Sequence, residues 1–317
     1  MSATPLEAVP PVTIGEPGAR RIEGRSPLRL ALARLRRDRV AMASAATVVV
    51  LVAVALAAPL IAHLVGHDPT TQYRDTGLTP AGLPVGPSRR FLFGTDSLGR
   101  DVFIRVVYGT RISLLVGVVS TLLAVVLGVV VGVTAGYYQG ATDTVLARFM
   151  DVVLSLPFLL FAIALVSVAG PSIVVSILVI AFFSWAAVGR IVRGQTLSIR
   201  EREYVEAARS LGAGDIRIMV VVVLPNLVAP LIVYTTLLIP TAIVFEATLS
   251  FLGMGVVPPT PTWGNMLSDS LQFYQVAWWF VLFPGLALLI TTLAFNLLGD
   301  GIRDALDPST ERLFAES

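Results

Sequence analysis

Apolar runs recur along the chain, each about the 20 residues a helix needs to cross a bilayer, and polar stretches separate them. They cover residues 41–65, 113–136, 146–169, 173–188, 227–252 and 276–298. This pattern predicts an all-α, polytopic membrane protein with about six transmembrane helices. Two of the runs carry internal features. Gly117, Gly128, Gly132 and Gly136 recur every four residues or a near multiple down the second run, a small-residue face that lets helices approach closely. The fifth run meets Pro225 and Pro230 at its start and Pro240 within, where proline frees backbone carbonyls and bends the axis.

Composition agrees with a membrane protein. Only 14% of residues are charged, against about 25% in soluble domains, and the mean hydropathy is +0.81. Cysteine is absent, which removes disulfides, thiolate nucleophiles and thiolate metal sites. The two histidines, His63 and His67, lie near the outer end of the first run and read as interfacial; they are too few for a metal site of their own. No nucleophile stands beside a base in a plausible site, so no catalytic or metal-binding residue is assigned. All 23 basic residues are arginine. An ATP-binding P-loop needs its lysine to reach the phosphates, so an ATP-driven process would need its ATPase on another subunit.

The arginines also set an orientation. Arg20, Arg21, Arg25, Arg29, Arg34, Arg36, Arg37 and Arg39 precede the first run, which puts the N-terminus in the cytoplasm by the positive-inside rule. A basic cluster abutting a first span is an orientation signal and does not point to nucleic acid. No cleavable secretory signal is expected, since the first apolar run begins late and is long enough to span. Six crossings then place the 189–217 loop, with Arg190, Arg193, Arg200, Arg202, Arg209 and Arg217, and the C-terminus in the cytoplasm. The 253–275 loop, which lacks basic residues, falls outside. The loop after the first run disagrees: it holds Arg74, Arg89, Arg90, Arg100, Arg105 and Arg111 on the outer side, although long loops count weakly in the rule. The chain thus divides into a basic tail (1–40), a first span with an outer loop (41–111), a helical core (112–305) and a C-terminal tail (306–317).

Three polar segments stand out. In the outer loop, Gly94-Thr95-Asp96-Ser97-Leu98-Gly99-Arg100-Asp101 is a helix-start signal, and the arginine- and aliphatic-bearing residues 102–111 are expected to lie along the interface before turning into the second span. In the fifth run, Glu246 is an ionisable group among apolar residues, four positions before Ser250. Such a group either lines the translocation pathway or bonds polar neighbours within the protein. The proline-rich residues after it are expected to form a re-entrant hairpin, with Trp263, Trp278 and Trp279 at headgroup depth. The third segment, Glu203-Tyr204-Val205-Glu206-Ala207-Ala208-Arg209-Ser210-Leu211-Gly212, predicts a short solvated helix stopped by a glycine suited to φ > 0, with Asp215 just beyond and Leu224-Pro225 opening the next span.

The spacing Glu206-Ala207-Ala208, Gly212, then Val222 and Leu224-Pro225 resembles the coupling motif of permease subunits in bacterial ABC importers. The string from Gly94 to Asp101 and the run 246–266 resemble the branch that serves peptides and nickel, and the likeness covers roughly residues 92–307. The resemblance implies a type I ABC importer permease fold in a bacterial plasma membrane. It also implies a second, similar permease subunit, two cytoplasmic ATPases that bind ATP and Mg, and an extracytoplasmic solute-binding protein. Peptide is the substrate it favours; nickel chelate, glutathione and haem are the alternatives. The coupling helix, about 203–211, would enter a cleft on the ATPase. Glu206 would supply a charged contact, Ala207 and Ala208 a close approach, and Gly212 the turn. A proton-coupled secondary transporter would need a relay of buried acids, and Glu246 is nearly alone.

Overall fold

The computed structural model of the chain describes residues 32–306; residues 1–31 of the tail predicted at 1–40, and 307–317 of the tail predicted at 306–317, lie outside them. Helices make up most of the described residues. Helix α1 is Arg39–Val65, α2 Val102–Tyr138, α3 Gly140–Ser155, α4 Phe158–Ala169 and α5 Ile173–Arg200. They are followed by α6 Glu203–Ser210, α7 Leu224–Phe251, α8 Trp263–Ser270 and α9 Trp278–Leu306. Among the described residues five continuous helical segments are long and apolar enough to span a membrane, and the bent pair α3–α4 makes a sixth if counted as one span.

The third run is therefore not a straight span. α3 and α4 meet at 88° across Leu156-Pro157. Proline has no N–H to continue the helix, and it pushes the residue before it out of the helical region. Leu156 accordingly sits at φ −78°, ψ 129°. α3 is held to α5 by Arg193, which pairs with both carboxylate oxygens of Asp143, and by an Arg190–Asp151 ion pair.

Nor do residues 102–111 lie flat and turn. They are the first turns of a single 37-residue α2, capped by Asp101, whose carboxylate accepts from the Phe103 and Ile104 amides. The segment holds no proline, and its single Gly109 is carried within the helix. Its Val102 and Val106 pack into a buried cluster with Met266, Ala277, Trp279 and Phe280, which builds it into the bundle.

The glycine face of α2 packs as the spacing predicts. A Cβ on Gly128 would meet Val188 at 2.6 Å, one on Gly132 the Gly189 carbonyl at 2.5 Å, and one on Gly136 Thr196 at 2.7 Å. Without side chains there, α2 lies with its backbone directly against α5 for just over two turns. Gly117 gives the same access to Ile243 of α7.

Pro230 and Pro240 lie inside α7 without ending it. The disturbance appears upstream: residues Ile218–Val223 form a π-helical stretch in which the Leu224 amide bonds the Met219 carbonyl. Pro225 offers no N–H to the carbonyl four residues back and its ring crowds that carbonyl, so the backbone widens before it. Of the three tryptophans expected at headgroup depth, Trp278 is half exposed, whereas Trp263 and Trp279 are buried inside the protein. Trp263 is fully buried with its indole N–H donating to the Val106 carbonyl, and Trp279 donates to the Thr95 carbonyl. Each indole finds an acceptor inside, which removes the reason to sit at the water interface.

Candidate functional site

Two polar clusters lie at opposite ends of α2, which is about 55 Å long at 1.5 Å per residue. Asp101 caps its start and Tyr137 stands in its last turn.

At the far end of α2, α6 stands off the bundle. Val205 alone is fully buried, in a cluster with Tyr137, Val192, Ile199 and Ile218. Ala208 and Ala213 are half buried beside it. Glu203, Tyr204, Glu206, Ala207, Arg209 and Leu211 are exposed, Leu211 at 89%. The helix therefore turns a face of acid, small and apolar side chains outward. Gly212 ends it at φ 80° as predicted. The Ala213 amide bonds the Ala208 carbonyl and the Gly212 amide the Arg209 carbonyl, a paired closure in which the glycine takes the left-handed position. Asp215, beyond the turn, accepts a 2.8 Å hydrogen bond from the Tyr137 phenol. Arg200 and Arg209 each hold their guanidinium 5.9 Å from the Tyr137 ring centroid. Tyr137 was not singled out from the sequence, and nothing local marks it. Leu224 and Pro225 open α7 and are not in direct contact with this cluster through any hydrogen bond among the described residues.

At the start of α2, residues 94–101 fold into a tight turn with Gly94 at φ 73° and Gly99 at φ 74°. A Cβ on Gly94 would strike the Trp279 indole at 2.5 Å. Asp96 is fully buried; its carboxylate accepts from the Leu98 and Arg100 amides at 2.9 Å and from the Arg100 guanidinium at 2.6 Å, and lies 3.3 Å from Arg105. Arg105 donates to the Pro69 carbonyl at 3.1 Å. Thr95 donates to the Gly77 carbonyl and accepts from the Val85 amide. Asp269 of α8 completes the network, 3.6 Å from Arg100; burial pushes its carboxyl above the ordinary range, and Arg100 and Arg105 pull it back. Leu98 alone of the string is well exposed, at 43%. His67 is drawn into the same network: its Nδ1 lies 2.5 Å from the Asp101 carboxylate, and its ring stacks on Phe91. Arg105, read from the sequence as part of an interfacial helix, is buried instead, and the Pro69 and Pro259 carbonyls it reaches lie far away in sequence.

Glu246 lies in the last turns of α7, level with the first third of α2, and is fully buried. Ser113 of α2 donates to it at 2.8 Å and Ser250 at 2.7 Å. The residues after it close tightly: a Cβ on Gly264 would stand 2.2 Å from the Ala247 carbonyl, and one on Gly255 2.1 Å from the Ser250 hydroxyl. Glu246 and Ser250 are thus brought together, with α2 as their third partner.

Comparison with known proteins agrees with this architecture. Residues 128–312 match the family described as the binding-protein-dependent transport system inner membrane component, and residues 26–80 match the N-terminal TM domain of oligopeptide transport permease C. The chain belongs to this family of membrane-embedded transport components, and it crosses the membrane several times. It is 48% identical over 246 residues to the dipeptide transport system permease protein DppC of Escherichia coli K12, covering 78% of this chain and 82% of that protein. It is 44% identical over 253 residues to the di/tripeptide transport system permease protein DppC of Pseudomonas aeruginosa, covering 80% and 82%. A glutathione transport system permease protein, GsiD of Escherichia coli O6:K15:H31, is 47% identical over 226 residues, covering 71% and 75%. Among solved structures, the inward-facing MetNI methionine ABC transporter has a chain that superposes with a TM-score of 0.54 at 19% identity, covering 64% of this chain and 96% of that one. The ABC permease fold is shared with it.

Proposed function

We propose that the chain is the permease subunit of an ATP-driven importer that carries di- and oligopeptides inward from an extracytoplasmic solute-binding protein. It pairs with a second, similar permease subunit and with two ATPases that bind ATP and Mg. Both termini and α6 face the cytoplasm. The observation that carries the reading is the geometry of α6: a rigidly closed helix whose Glu206, Ala207 and Leu211 are turned outward from the bundle. Exposed Leu211 on a solvated helix has a cost unless a partner covers it, and the small Ala207 lets that partner come close. The chain has no lysine for a P-loop of its own, so in an ATP-driven importer the ATPase is another subunit, and α6 is the surface offered to it. Relatives named for dipeptide and di/tripeptide transport support peptide as cargo. The relative named for glutathione, itself a small peptide, makes that the second reading.

Glu246 ties α2 to α7 in this proposal. Its enclosure by Ser113 and Ser250 favours internal bonding over an open pathway position.

Replacing Ala207 with Trp tests the coupling role, since overpacking a close contact costs about 1–3 kcal/mol. The Ala207→Trp chain should insert normally and lose its ATPase, or keep it with hydrolysis no longer linked to uptake. The Gly212→Val chain should behave alike, because its φ of 80° disfavours a branched side chain. Normal ATPase binding and uptake in both would sink the assignment.

A further inference from the structure

We infer that Tyr137 pins α6 to the end of α2, so that force applied at α6 moves α2 and α5 as one body. The inference rests on the coupling role proposed for α6, and it adds α2 to the moving parts. The covalent connection between α5 and α6 is only Glu201 and Arg202, both exposed. Two exposed residues between helices make a hinge unless something spans it. The apolar anchoring of α6 is slight, since Val205 is its one fully buried side chain. Tyr137 spans the gap. It comes from α2, is 3% exposed, and gathers Arg200 from the end of α5, Arg209 from α6 and Asp215 from the turn that follows.

The physical chemistry favours a stiff joint. The phenol donates to a carboxylate, a charge-assisted bond stronger than one between neutral groups. Two guanidiniums lie over the ring within cation–π range. One Arg200 guanidinium nitrogen, Nη1, is buried with no hydrogen-bond acceptor, and the Tyr137 ring face is the negative feature beside that guanidinium. Immediately above, Gly132 and Gly136 let α2 and α5 pack too closely to slide past one another. A displacement of α6 therefore reaches α2 through Tyr137 and α5 through the chain, and the glycine seam keeps the two together.

The experiment uses the whole complex, with ATPases and solute-binding protein, in proteoliposomes, and reads uptake of alanylalanine per ATP hydrolysed. Tyr137→Phe keeps the ring and removes the bond to Asp215; Asp215→Ala removes it from the other side on an exposed residue. Neither touches the outward face of α6, so both chains should retain their ATPases. Uptake per ATP should fall about tenfold in each, the size expected for losing one hydrogen bond to a charged group, and the double variant should be no worse than either single one. A purely structural role for Tyr137 would lower the amount of assembled complex and leave the ratio unchanged. An unchanged ratio in both single variants, with Ala207→Trp uncoupled, overturns the pin and leaves the coupling role standing. Should Tyr137→Phe fail to assemble, Asp215→Ala decides alone. A wild-type complex that takes up no dipeptide, or an Ala207→Trp complex that behaves as wild type, removes the function on which the pin depends.

Discussion

Adding a single methyl group at Gly132 should separate two helices along their whole seam. The new Cβ would lie 2.5 Å from the Gly189 carbonyl oxygen, 2.7 Å from Cβ and 2.9 Å from Cγ1 of Val192, where ordinary contact begins near 3.4 Å. Relief needs a shift of about 0.9 Å. Neither obstacle can supply it locally, because one is backbone and the other is a branched side chain held close to its own helix. The neighbouring contacts at Gly128 and Gly136 are as close, so the helices must part together. Overpacking of this kind costs about 1–3 kcal/mol. The gain in helix propensity from Gly to Ala, at most about 1 kcal/mol, is smaller still in a bilayer, where the unfolded helices stay helical. Gly194 of α5 provides the control: a Cβ there meets nothing within 4 Å. Titrating the purified chain in mixed micelles with dodecyl sulfate, followed by tryptophan fluorescence, measures both. Gly132→Ala should unfold at lower detergent fraction by about 1–3 kcal/mol, while Gly194→Ala should match the parent or exceed it slightly. An unshifted midpoint for Gly132→Ala, or an equal loss for Gly194→Ala, would refute the seam as the element that joins α2 to α5.

Two more outcomes follow from the same geometry. Glu246→Ala strips the shared acceptor from Ser113 and Ser250 inside the bundle and should cost about 1–3 kcal/mol, whereas Glu246→Gln keeps an acceptor and should assemble and transport; normal assembly with lost transport in Glu246→Gln would instead put its charge in the pathway. Because the chain has no cysteine, Ser198→Cys and Ser268→Cys each create a single thiol. An impermeant reagent added outside intact cells should label only the Ser268→Cys protein, and labelling of Ser198→Cys would reverse the proposed orientation.

What the sequence alone determined was local. Runs of about 20 apolar residues announce spans because a bilayer leaves the backbone no other way to satisfy its hydrogen bonds. Gly212 was legible as a left-handed stop, and the glycines of α2 as a packing face, since both depend on residues within a few turns. The Glu206-to-Pro225 spacing identified the exposed loop helix for the same reason. The break at Pro157 was equally local and could have been read from the proline.

Tertiary structure decided where the polar groups went. Residues 102–111 have the pattern of an interfacial helix, and only Met266, Ala277 and Phe280, from much later in the chain, make it the buried start of α2. Arg105 finds an acceptor 36 residues away in Pro69, and the Trp279 indole one 184 residues away in Thr95. Tyr137 carries no signal in its own neighbourhood, because its meaning comes from Arg200, Arg209 and Asp215 arriving from three later segments. A buried charge or indole is costly until it is paired, and the pairing partner is fixed by how the helices pack, which no short stretch of sequence encodes.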